Sequence, residues 1–83
     1  MKTATIRENR KKLQALLRTL REEAGLRQVD LAQKLGKPQS FVSKYETGER
    51  RLDIIELLEV CRQLGISIVK LVNRLELLVD KHS

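Results

Sequence analysis

Apolar residues along this chain recur at intervals of three and four, and the strict alternation of a half-buried strand is nearly absent. Leu13, Leu16, Leu17, Leu20 and Ala24 fall on one helical face, with Ile6 on the same stripe. Thr5 followed by Glu8 has the spacing of a capping box, in which side chains satisfy amides left unpaired at a helix start. The pattern predicts a helix from about Ile6 to Ala24, stopped at Gly25. A short second helix from Gln28 ends at Leu35, where Gly36 supplies the left-handed turn that residues with a Cβ resist. A third runs from Pro38 to about Thr47, with proline in the first turn, where an amide would have no partner. Asp53 and Glu56 open a fourth helix ending at Leu64, with Leu52 and Leu57 spaced to pack across its start. Ser67 caps a fifth that reaches about Val79. The expected fold class is all-α, with five helices and no linker, repeat or low-complexity stretch.

Length changes the picture in one respect. The 83 residues suffice for one domain, read here as spanning 1–83. A chain this short buries only about 60% of the surface its unfolded form exposes, so its core is thin and a second copy adds stability. Charge changes it further. Residues 1–51 carry 13 Lys or Arg against 6 Asp or Glu, a balance of +7, and residues 52–83 carry 4 against 5, a balance of −1. A basic front half on a near-neutral back half is the pattern of a surface that meets a polyanion.

Candidate catalytic chemistry is sparse. Cys61 is the only cysteine, which rules out an intrachain disulfide and suits a reducing cytoplasm. It stands among apolar helical positions and reads as core filler, and the only histidine, His82, lies near the end of the chain. No metal ligand set, cofactor or enzymatic activity is expected. Neither a membrane-length apolar run nor a signal-peptide pattern is visible, so the expected location is cytoplasmic, in a bacterium or encoded by a phage.

The two short helices around Gly36 and Lys37 have the layout of a helix-turn-helix over residues 28–47. That unit needs a small residue in its first helix, a turn glycine, and apolar residues where the pair meets the core. Ala32, Gly36 and the set Leu31, Leu35, Val42 and Tyr45 meet those needs. The stretch LRTLREEAGLRQVDLAQKLGKPQSFVSKYETGERRLDIIELLEVCRQLGIS closely resembles the Xre family, which includes the lambdoid Cro and repressor DNA-binding domains. The likeness extends over roughly residues 13–78 and implies a five-helix, phage-repressor-like domain that binds operator DNA as a two-fold dimer.

The resemblance assigns positions one at a time. Gln28 opens the second helix, where family members present a phosphate with side chain and helix N-terminus, and free amides there attract anions. Gln39, Ser40, Ser43 and Lys44 match the positions that read base edges, with Gln39 and Lys44 the preferred readers. Glutamine can pair with adenine in two hydrogen bonds, and lysine can donate to guanine. Arg50 and Arg51 follow the third helix on the side expected to run along the phosphate backbone, fixing register without reading sequence. Arg21 and Glu46 match a family ion pair that ties the first helix to the end of the reading helix. Arg27 departs from the Ser or Thr that often caps the second helix; it is expected to reach a phosphate itself. Phe41 is expected to pack against the second helix rather than touch a thymine methyl.

In the fifth helix, Ile68, Leu71, Val72, Leu75, Leu78 and Val79 form the expected core face, leaving Val69 on its flank and Leu77 nearly opposite. That excess of apolar surface marks residues 66–79 as the dimerisation helix, with residues 1–10 an extension leading into the first. The expected function is a sequence-specific transcriptional regulator, a repressor on a palindromic operator, controlled through its concentration, a partner or proteolysis. Two alternatives stand beside it. One is the antitoxin of a toxin–antitoxin pair, its toxin held by the N-terminal extension or the last helix. The other is a helix-turn-helix reused as a protein-interaction module.

Overall fold

The computed structural model describes residues 3–79, which form five helices: α1 (Thr3–Glu23), α2 (Gln28–Leu35), α3 (Gln39–Thr47), α4 (Ile54–Leu64) and α5 (Ile68–Leu78). Among the described residues there is no strand, and no helix is long and apolar enough to cross a membrane. His82 lies outside the described residues.

The helix ends follow the chemistry of the chain, with one correction. α1 begins at Thr3, so Thr5 lies inside the helix and not at its cap; its side chain is outside the described residues. No proline or glycine precedes Ile6 to stop the helix there. The α2–α3 turn is set by Gly36 at φ 67°, with the Lys37 amide donating to the Ala32 carbonyl at 2.9 Å. Asp53 and Glu56 form the reciprocal box at the start of α4: Asp53 Oδ1 accepts from the Glu56 amide at 2.7 Å, and Glu56 Oε1 accepts from the Asp53 amide at 3.0 Å. Ser67 Oγ accepts from the Lys70 amide at 3.1 Å and caps α5.

Every helix contributes to one core. Leu16, Leu17 and Leu20 of α1 meet Leu31 and Ala32 of α2, Val42 and Tyr45 of α3, Val60 and Cys61 of α4, and Leu71 of α5. Cys61 is core filler, and burial pushes its thiol pKa up. Leu52 and Leu57 both pack partly buried against this cluster. α3 packs on α1 and α2, while α5 lies against α1 and α4, so the back of the molecule holds the α2–α3 pair from behind.

The stripe expected on α5 is narrower than its sequence suggests. Ile68, Leu71 and Leu75 face the core, but Val72 is 43% exposed and Leu78 48% exposed. Val72 sits about 100° around the helix from Leu71, on the flank of the seam, and Leu78 is the last helical residue. Ala24 and Ile6, placed on the α1 core stripe by period alone, are likewise exposed: Ala24 stands just past the end of the helix and Ile6 in its first turn.

Burial separates otherwise similar side chains. Leu71→Ala is expected to lower unfolding stability by about 2–5 kcal/mol. Ile55→Ala, at a side chain left in solvent, is expected to stay within about 0.5 kcal/mol of the parent, both read from urea midpoints.

Candidate nucleic-acid interface

The front of the molecule is organised around one buried ion pair. Arg21 of α1 meets Glu46 of α3 through two parallel hydrogen bonds, Nε to Oε2 at 2.7 Å and Nη2 to Oε1 at 3.0 Å. The side chains are only 9% and 3% exposed. The third guanidinium nitrogen, Nη1, donates to the Leu26 carbonyl at 2.8 Å, beyond the end of α1. Hydrogen bonding to Glu46 raises the Arg21 pKa, so it stays charged. Gln28, at the first position of α2, adds its Nε2 to the same carboxylate at 3.1 Å. Three elements are thus locked at one point behind the C-terminal end of α3.

From that anchor α3 presents its other side outward. Gln39, Ser40 and Lys44 are exposed, and Ser43 is half-buried. Val42 and Tyr45 hold the helix to the core. Tyr45 is so enclosed that its hydroxyl pKa is raised by desolvation, and the hydroxyl has no hydrogen-bond partner among the described residues. Phe41 packs partly against the core, with its ring 5.6 Å from that of Tyr45 in an edge-to-face arrangement.

A family model described as helix-turn-helix matches residues 17–71. Among solved structures, an XRE-family like protein from Pseudomonas syringae pv. tomato is similar at 46% identity, covering 94% of this chain and 96% of that one with a TM-score of 0.82. The chain belongs to the Xre family of helix-turn-helix, DNA-binding transcription regulators. The restriction-modification controller protein C.Esp1396I superposes with a TM-score of 0.76 at 28% identity, over 82% of this chain and 88% of that one. The uncharacterised HTH-type transcriptional regulator y4dJ of Sinorhizobium fredii is 39% identical over 54 residues, 65% of this chain and 70% of that protein.

Within this Xre-family fold the other expected site residues fall in different settings. Arg27 is exposed but turned onto Asp30, donating from Nε at 3.1 Å and Nη2 at 3.0 Å. Asp30 also accepts from the Arg27 amide at 2.8 Å, which is one half of a capping box; Arg27, having no side-chain acceptor, cannot supply the other half. Those bonds hold the Asp30 carboxyl below its ordinary pKa. Arg50 donates from Nη2 and Nη1 to Glu56 at 2.6 and 3.0 Å and lays its guanidinium 4.7 Å from the centre of the Phe41 ring. Arg51 is exposed, and its side chain has no acidic partner among the described residues. Val69 and Leu77 are 65% and 81% exposed.

Two contacts had no signal in the sequence. Nothing in a spacing of 18 residues marks Gln28 as a donor to Glu46, and only the fold brings Arg50, Glu56 and Phe41 together. The second arrangement fixes the loop after α3 to the start of α4.

Both ion pairs make testable demands. Glu46→Ala leaves Arg21 buried without its carboxylate and is expected to cost about 3–5 kcal/mol in urea unfolding; Arg21→Met with Glu46→Leu is expected to recover most of that. Arg50 holds the Glu56 pKa down to about 2 from an ordinary 4.5, so its stabilisation is complete above pH 4.5 and disappears as pH falls through 2. The loss of stability across that window is expected to be shallower in Glu56→Gln, measured by thermal unfolding at stepped pH.

Proposed function

We propose that this protein is a transcriptional repressor that binds a palindromic operator in double-stranded DNA as a homodimer. The observation that carries the reading is the outer edge of α3, where Gln39, Ser40 and Lys44 stand exposed on a helix held rigidly from behind by Arg21 and Glu46. A helix presented this way enters a major groove, and its glutamine and lysine carry the donor and acceptor patterns that distinguish bases. Gln39 and Lys44 read base edges. Ser40 assists, and Ser43, half-buried, reaches only a phosphate.

The backbone contacts sort by what each side chain already holds. Arg51 is free to meet a phosphate. Arg50 positions the loop through Glu56 and Phe41. Gln28 keeps one amide hydrogen for a phosphate while the other serves Glu46, and Arg27 must leave Asp30 to reach one. Val69, with Val72 on the same flank, and Leu77 supply apolar surface for a second copy. Two reading helices then sit about 34 Å apart on one side of the duplex, which makes the site an approximate palindrome. Occupancy of such a site is enough to block transcription, and a DNA target places the protein with the nucleoid in the cytoplasm. The similarity to the restriction-modification controller protein C.Esp1396I and to the clp gene regulator ClgR of Corynebacterium glutamicum, the latter 25% identical, supports a regulatory role.

The test is selection of bound duplexes from a random library, followed by titration of the winner. A palindromic consensus is expected, with Gln39→Ala and Lys44→Ala each losing about 1–3 kcal/mol of discrimination at one position of the half-site. Light scattering of the complex is expected to give two copies per duplex. No enriched sequence, or mutants indistinguishable from the parent, overturns the operator reading, and a single copy per duplex overturns the dimer.

A further inference from the structure

Arg7, Arg10 and Lys11 follow one another along α1 at the spacing that puts side chains on one helical face. Opposite them, across a groove of about 400 Å³, stands Arg51 in the loop after α3, with Gln14 and Gly48 in the same lining. Arg7 and Arg10 lie within the N-terminal extension of residues 1–10, and Lys11 just beyond it.

Their lack of counter-charge is specific to the place. Of the nine arginines in the chain, Arg18, Arg21, Arg27, Arg50 and Arg74 each hold a carboxylate. Of the other four, three line this groove, and Arg62 is elsewhere on α4. The neighbouring carboxylates do not neutralise it. Glu8 lies at i,i+3 from Lys11 yet forms no ion pair with it among the described residues. Glu49 accepts from the Thr47 hydroxyl at 3.3 Å, and among the described residues neither glutamate pairs with a groove cation.

The groove also begins where DNA is expected to be. Gly48 ends α3, and a Cβ added there would stand 2.9 Å from the Gln14 amide nitrogen, so α1 and the end of the reading helix touch at this point. From Gln14 back to Arg7 the groove follows α1 for about 10 Å at 1.5 Å per residue. Successive phosphates of one strand rise about 3.4 Å along the duplex axis but lie roughly twice as far apart through space, which makes that length about two phosphates.

We propose that this groove is a second seat for the DNA backbone, gripping phosphates that flank each half-site without reading sequence. The inference rests on the operator reading above, and it assigns to the front of α1 a role in affinity that the helix-turn-helix does not supply. Continuity with α3 favours a nucleic-acid strand over an acidic protein segment, which would have no reason to start at the reading helix.

The experiment compares the salt dependence of binding to the selected duplex, carried with at least six flanking base pairs, for the parent and for Arg7→Gln/Arg10→Gln/Lys11→Gln. A second variant, Arg62→Gln, removes a charge away from the groove as a control, and circular dichroism checks that all three are equally helical. Expected is a slope of log affinity against log salt that is shallower by about 2–3 in the triple variant, with the same consensus selected and the control near the parent. An unchanged slope, or an equal change per charge in the control, overturns the groove while leaving the operator reading intact. If the parent itself enriches no duplex, both fall together.

Discussion

The buried pair of Arg21 and Glu46 fixes the geometry on which everything at the front of the molecule depends. Taking two charges out of water is unfavourable unless their hydrogen-bonding capacity is filled. Here the guanidinium gives two bonds to the carboxylate and one to the Leu26 carbonyl, and the carboxylate takes a further one from Gln28. The planar fork of arginine accepts only a narrow range of partner positions, so satisfying it sets the angle between α1, the start of α2 and the end of α3 together. An apolar contact at the same place would hold these elements but would tolerate sliding. The value of the pair is therefore orientation more than net stability.

Around that anchor, the arginines divide by what they touch. Arg50 is drawn inward, between Glu56 and the face of Phe41, and ties the exit of α3 to the first turn of α4. Its neighbour Arg51 remains in solvent beside the cations of α1. Two adjacent residues of identical chemistry thus serve different ends, one shaping the loop and the other available to a partner. The same division holds at α2, where Asp30 engages Arg27 and its negative charge also suits the positive end of that helix.

The helices, their order and most of their ends were legible in the residues. Gly36, Gly48 and Gly65 stop helices, Asp53 with Glu56 and Ser67 start them, and the periods of leucine and valine mark the faces that meet. The position of α3 and the residues it turns outward followed from the resemblance carried by the helix-turn-helix stretch. Period alone overextended the core, assigning Val72 and Leu78 to it, because a helical stripe says which way a residue points and not whether anything lies there. It also missed the start of α1, where no capping or breaking residue announces the end.

What the sequence by itself determined is local: a helix forms where backbone and side-chain preferences over a few residues agree, and those preferences act without knowledge of the rest of the chain. What the tertiary structure decided is which charges are occupied. Whether Arg50 or Arg51 is free, whether Gln28 holds a carboxylate, and whether Arg7 and Arg10 share a groove with Arg51 depend on residues 6 to 44 positions away. A side chain's electrostatic state falls off steeply with distance in space and hardly at all with separation in sequence, so only the folded arrangement could assign it.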